Sequence, residues 1–167
     1  MSFADRFVLW LHLGFAVFTV GPVTAAISAT PRYIRKRDLA ILRYLTRTTT
    51  IFTAGLLTVL VFGVAAGQML HEFSKPWLTA ALTLFLVALV LLVLVIRDQR
   101  KAIRALEAVA AAPDVPADMP EPADGGPADP AAGAAHLASV ERGRIVAMGG
   151  VVNLIWLAVL ALMVWRP

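Results

Sequence analysis

The side chains with the clearest capacity for chemistry are two histidines and a methionine, His12, Met69 and His71. Imidazole and thioether groups suit copper(I), and two histidines can serve as the axial ligands of a haem. The three residues match no metal-binding spacing, so their convergence depends on how the chain packs. The competing interpretation is a hydrogen-bonded core histidine at position 12 and an interfacial histidine at position 71. The candidate cofactor ligand is therefore His12, and the candidate metal set is His12, Met69 and His71.

Several other kinds of site are missing from the sequence. There is no cysteine, which excludes disulfides, thiolate metal sites and cysteine nucleophiles. No P-loop, GxSxG, HExxH or GxGxxG pattern occurs, and no pair of acidic residues lies within an apolar segment. The sequence therefore favours a protein that is not an enzyme.

Four long apolar segments indicate how the chain must fold. The sequence has 167 residues, 59% hydrophobic and only 16% charged, which is too apolar for a soluble domain. A helix needs about 20 apolar residues to cross a hydrocarbon layer of about 30 Å. Segments 7–29, 48–68, 76–96 and 145–165 have this length and contain no Asp, Glu, Lys or Arg. They predict an all-α, integral membrane four-helix bundle as a single membrane domain.

The basic residues predict how the bundle is oriented. Short loops rich in Lys and Arg stay on the cytoplasmic side of the membrane. Of the 15 Lys and Arg residues, only Arg6, Lys75 and Arg166 lie outside the two loops that join the first span to the second and the third to the fourth. We therefore expect both termini outside, both basic loops in the cytoplasm and a multi-pass location in the inner membrane. Anionic lipid headgroups are the expected counterpart of this charge, and not nucleic acid.

Polar and small residues within the spans predict how the helices pack. Thr19 and Asn153 should lie at similar depth, so we expect an interhelical hydrogen bond between them. Gly63 and Gly67 form a GxxxG pair, which allows close helix approach. The third span is nearly all Leu, Val and Ala, and we expect it to be the most lipid-exposed helix. The first span should turn one stripe inward, namely His12, Ala16, Thr19, Val23 and Ala26.

The segments between the spans carry local signals of their own. Asp38 is well placed to cap a helix that begins at Leu39, before the second span enters the membrane. Residues 97–112 should continue the third span as a helix. Residues 113–135 contain six prolines, five acidic residues and no basic residue. This composition predicts a disordered cytoplasmic linker.

The opening of the chain resembles a known group of sequences. The segment that carries the resemblance is FVLWLHLGFAVFTVGPVTAAISATPRYIRKRDLAILRYLTRTTTIFTAGLLTVLVFG. It contains a first helix with an LHL pattern, a basic loop and a Gly-rich second helix. Over about the first 70 residues it resembles a bacterial family of predicted integral membrane proteins of unknown function. More distantly, its intramembrane histidine is similar to that of HemJ-like protoporphyrinogen oxidases and CopD-like copper-resistance proteins. That resemblance implies haem or copper binding and carries over to His12 alone.

Together these features support one leading expectation and two alternatives. The leading expectation is a non-enzymatic accessory or structural subunit of a membrane complex, which needs no cofactor. Its partners would be membrane lipids and either another membrane protein or further copies of this chain. The first alternative is a haem-binding or copper-binding protein that uses His12. The second is a small-molecule permease that acts as an oligomer.

Overall fold

The computed structural model of the chain describes residues 3–111 and 130–165. These residues form four long helices and one short 3-10 turn, Glu72–Ser74, without any strand. All four helices are long and apolar enough to cross a membrane. The all-α prediction is therefore confirmed, while the direction of crossing stays a prediction. The helices are α1 (Phe3–Lys36), α2 (Leu39–Met69), α3 (Pro76–Ala111) and α4 (Pro130–Trp165).

A tight turn reverses the chain between α1 and α2. Arg37 adopts a left-handed backbone conformation with φ 54°, and the next residue, Asp38, is the N-cap of α2. The Asp38 side chain accepts a hydrogen bond from the backbone N–H of Ile41 over 3.1 Å. This bond satisfies one of the amides that the first turn of a helix leaves without a partner. The predicted cap is confirmed, and α1 and α2 form an antiparallel hairpin.

The four helices pack as two hairpins. The most extensive contacts join α1 to α2 and α3 to α4, and the hairpins meet along α2 with α3 and α1 with α4. Fully buried side chains from all four helices, including Val23, Leu56, Leu92 and Val152, fill the centre. On α3 most of the buried residues repeat every three or four positions, as in a coiled-coil seam. They are Leu78, Ala81, Phe85, Ala88, Leu92, Val95, Gln99, Ala102 and Leu106.

The prediction that the third span is the most lipid-exposed helix is wrong. In the most apolar window of each helix, 33% of the α3 residues are buried against 17% of those in α1. The reason is that lipid tails and Leu side chains are equally apolar, so an apolar helix can pack inside the bundle as easily as face lipid. The large exposed side chains of α1, such as Phe3, Trp10 and Phe18, make it the most exposed helix instead.

The long helices α3 and α4 extend beyond the predicted spans. Residues 97–111 continue α3, as predicted, and add about 22 Å at 1.5 Å per residue. The predicted C-terminal bound of the linker 113–135 is wrong, because residues 130–135 belong to α4. Proline is favoured at the first position of a helix, and the alanines that follow Pro130 are strong helix formers. Residues 113–129 lie outside the described part of the chain.

The two ends of the bundle differ in composition. The basic end comprises residues 30–47, 97–111 and 130–144, and it carries most of the Lys and Arg residues. The terminal end comprises residues 3–12, 66–78 and 160–165. The predicted inward stripe of α1 connects the two, since His12, Thr19, Val23 and Ala26 are all buried and Ala16 is half-buried.

Two neighbouring glycines of α4 provide a test of this packing. A Cβ atom at Gly149 would lie 2.8 Å from Cγ2 of Ile27, whereas a Cβ atom at Gly150 would meet nothing within 4 Å. Ile27 is buried and β-branched, so its side chain has little freedom to move away. We predict that Gly149→Ala destabilises the protein by about 1 to 3 kcal/mol and lowers the melting temperature in detergent.

Gly150→Ala is the matched control and should leave the melting temperature unchanged or raise it, because alanine is the better helix former. Equal melting temperatures for the two variants would contradict the close approach of α1 and α4.

Candidate ligand-binding site

His12 is the centre of the candidate site and is held by a neighbouring helix. The residue lies in the third turn of α1 and is 9% exposed. Its Nδ1 atom is 3.1 Å from the backbone carbonyl oxygen of Val59 on α2. Because a carbonyl oxygen can only accept, Nδ1 must carry the hydrogen of this bond. In the neutral ring, Nε2 is then an acceptor, and no described residue is hydrogen-bonded to it.

Gly63 makes room for the His12 ring. A Cβ atom at position 63 would lie 2.9 Å from Cε1 and 3.2 Å from Nδ1 of His12, so any larger residue would displace the ring. Gly67 serves a different contact, since its Cβ would lie 3.0 Å from Leu78 Cδ2 and 3.1 Å from Phe73 Cε2. The two glycines of the GxxxG pair therefore lie against different parts of the chain.

Two cavities meet at His12. One has a volume of about 250 Å³ and lies between the helices at the terminal end. The other, of about 570 Å³, runs along the contact between α1 and α4. Their walls are almost wholly apolar, and of the described residues that line them only Glu72 is charged. The residues that border both cavities are His12, Leu13, Val59, Phe85, Leu160 and Met163.

Thr19 and Asn153 have different neighbours. The Thr19 side chain is buried and lies against Gly55 of α2, where a Cβ atom would be 3.3 Å from Thr19 Cγ2. Asn153 instead lines the larger cavity together with Thr24. Because Gly149 faces Ile27, the antiparallel register places Asn153 about one helical turn from Thr19. The described residues include no hydrogen bond between the two side chains.

The proposed metal residues occupy different environments. His12 is buried, whereas Met69 is 39% exposed and His71 lies exposed in the turn after α2. Neither Met69 nor His71 lines a cavity with His12, but Met163 lines both cavities. Sequence reasoning missed Met163 because its proximity to His12 depends on how α1 and α4 pack. In the described part of the chain, no three His, Asp or Glu side chains are grouped closely enough to hold a metal ion.

A polar layer at the basic end was also missed. Gln99 is 1% exposed and donates hydrogen bonds to the hydroxyls of Thr30, over 2.8 Å, and Thr49, over 3.3 Å. This arrangement links α3 to both helices of the other hairpin. The burial of Gln99 could have been predicted from the sequence, because Gln99 continues the repeat of buried positions, spaced three and four residues apart, that begins at Leu78. A polar residue at one core position of a coiled coil can fix the register of the helices.

Next to Gln99, a buried carboxylate belongs to a network of charges between α3 and α4. Asp98 is completely buried, two residues beyond the apolar segment 76–96. Its Oδ2 lies 3.3 Å from the guanidinium of Arg144, and Lys101 lies 3.6 Å from Glu141. Burial raises the pKa of the Asp98 carboxyl above its ordinary value, and the nearby Glu141 carboxylate adds to the increase. The cations Arg144 and Lys101 oppose it.

Comparisons with protein-family models, with curated proteins and with solved structures found no match to this chain. The family resemblance of the first 70 residues therefore stays a prediction.

The buried carboxylate predicts how stability depends on pH. The folded state holds the Asp98 proton more tightly than the unfolded state, in which the ordinary pKa of 3.8 applies. The Asp98 contribution to the free energy of unfolding should therefore decrease as pH rises from about 4 through the folded-state pKa. We predict that Asp98→Asn removes this contribution, as measured by melting temperature in detergent across that range.

Glu107→Gln is the control, because Glu107 forms an exposed ion pair with Arg43 and should contribute little. A pH dependence in Asp98→Asn equal to that of the unmodified chain would contradict the role assigned to Asp98.

Proposed function

We propose that this chain is a non-enzymatic, multi-pass protein of a bacterial inner membrane that binds a lipid-soluble molecule at His12. The proposal depends on one observation, the hydrogen bonding of the His12 side chain. His12 donates through Nδ1 to the Val59 carbonyl and leaves Nε2 without a partner among the described residues, where two apolar cavities meet. A strongly polar group at membrane depth is unfavourable, and such groups commonly mark functional sites.

The cavities have properties suited to a small apolar ligand. The larger one, at about 570 Å³, falls within the range of about 300 to 1,000 Å³ that is typical of ligand pockets. Such pockets usually combine apolar walls with a few polar groups that fix orientation. In the larger cavity the residues able to do so are His12, Thr24, Asn153 and Trp156. A molecule dissolved in the lipid could reach them directly, because the rim residues Val17, Gly21 and Leu157 are exposed.

The proposed orientation in the membrane follows from charge. With the basic end in the cytoplasm, its exposed Arg side chains would contact anionic headgroups, and both termini would lie outside. His12 would then lie near the outer leaflet. The ligand would enter from that leaflet, along the contact between α1 and α4.

Haem or copper binding at His12 is a second candidate. A histidine that ligates a metal usually donates its other ring N–H to a carbonyl or carboxylate, and His12 has this orientation. When bound, such a group would supply redox chemistry, and His12 would hold its metal. The two propionates of a haem also require basic partners, and no Lys or Arg of the described residues lines either cavity. A neutral ligand therefore fits the site better than a haem.

The remaining roles stay predictions. An accessory subunit would retain a protein partner through purification in mild detergent, and a permease would move substrate into proteoliposomes. Neither role conflicts with ligand binding at His12.

Ligand binding is tested by analysing what the protein retains. We predict that the chain, purified from native membranes into lipid nanodiscs, carries a lipid-soluble molecule detectable by mass spectrometry of an organic extract. Gly21→Phe should reduce its occupancy at least tenfold. A Cβ atom at position 21 would meet nothing within 4 Å, and Gly21 lines the larger cavity, so we expect a phenylalanine there to take up space that the ligand needs.

Gly14→Phe is the matched control. Position 14 is equally open and lies on the same helix but lines neither cavity, so this variant should retain the ligand. The proposal would fail if extracts of the unmodified protein matched those of empty nanodiscs, or if both variants behaved alike.

A further inference from the structure

The hydrogen bond between His12 and Val59 restricts the chemistry of any ligand. With Nδ1 engaged as the donor, Nε2 of the neutral ring offers only a lone pair. The charged ring would offer a second N–H, but an unpaired cation surrounded by apolar walls is strongly unfavourable. A ligand that satisfies Nε2 must therefore bring a hydrogen-bond donor.

The surroundings of Nε2 narrow the ligand further. Among the described residues that line the cavities, only Glu72 is charged, and it borders only the smaller one. The described lining of the larger cavity offers no charged partner for an anionic or cationic headgroup. The ligand must therefore be uncharged and carry its donor on an otherwise apolar body. A neutral hydroxyl group meets both conditions.

Aromatic side chains favour a ring next to that hydroxyl. Phe85 and Trp156 both line the larger cavity, and their rings meet edge to face at 5.4 Å between centroids with an interplanar angle of 72°. An aromatic ligand could continue this arrangement, because aromatic pairs favour edge-to-face and offset contacts. An aliphatic alcohol could also donate to Nε2, but its chain would gain burial without this ring geometry.

We propose that the ligand of the His12 site is a lipid-soluble aromatic alcohol, of the phenol or hydroquinone class, whose hydroxyl donates to Nε2. This inference rests on the proposed function, since it names the ligand class of the same site. The proposal distinguishes a hydroquinone from the quinone with the same carbon skeleton. A hydroquinone presents a donor to Nε2, whereas the corresponding quinone presents only carbonyl lone pairs to it.

The experiment uses two probes that differ in one group, a hydroxyl that can donate a hydrogen bond or a methoxy group that cannot. They are ring-fluorinated 4-decylphenol and its methyl ether, added to the full chain in lipid nanodiscs, with binding followed by fluorine NMR against empty nanodiscs. We expect the phenol to bind about three- to tenfold more tightly than the ether, which is the usual effect of one hydrogen bond. His12→Phe should abolish the difference by removing Nε2 while keeping a ring of similar size. His71→Phe, the same change at an exposed histidine, should preserve it.

Each outcome has a distinct meaning. Equal affinity for phenol and ether in the unmodified protein, with both lost in Gly21→Phe, would overturn the aromatic alcohol while leaving ligand binding in the cavity intact. Binding of neither probe would count against both proposals. A difference that persists in His12→Phe would assign the acceptor to another residue and overturn the inference. Because the comparison of the two probes is made on the unmodified protein, it holds even if His12→Phe does not fold.

Discussion

In a hydrocarbon solvent a polar group without a partner is strongly unfavourable, and this constraint governs the whole molecule. Helices satisfy it for the backbone, which is why all the described secondary structure is helical. Some polar side chains satisfy it across helices. Gln99 bonds to threonines on α1 and α2, and His12 bonds to the carbonyl of Val59. Other polar atoms of the described residues have no hydrogen-bond partner, and those of Thr24 and Trp156 line the larger cavity together with His12.

The parts of the fold that depend on local sequence could be predicted. Apolar length identified the four helices, and Asp38 identified the start of α2. The continuation of α3 beyond residue 96 was also predicted, and the repeat of buried positions continues there as far as Leu106. The predicted end of the linker was wrong, because residues 130–135 belong to α4. The Pro-rich and Ala-rich composition predicted disorder there, but Pro130 and the alanines that follow it begin α4.

The site was only partly predictable, since it depends on register between helices. His12 could be singled out because it is a histidine within an apolar segment. Its partner could not, because Val59 contributes a backbone carbonyl and has no distinctive side chain. The positions of Gly63 against His12 and of Met163 beside both cavities require the packed structure. For the same reason Thr19 and Asn153, similar in estimated depth, contact different neighbours.

The most direct test of the account is the protonation state of the His12 ring in a membrane. Nitrogen NMR of histidine-labelled protein in lipid nanodiscs reports which ring nitrogen carries hydrogen, and comparison with His12→Phe assigns the signals among the three histidines of the chain. The account predicts a neutral ring at pH 7 with hydrogen on Nδ1 and a lone pair on Nε2. A ring with hydrogen on Nε2, or on both nitrogens, would contradict the bond to Val59 as described or the acceptor role of Nε2.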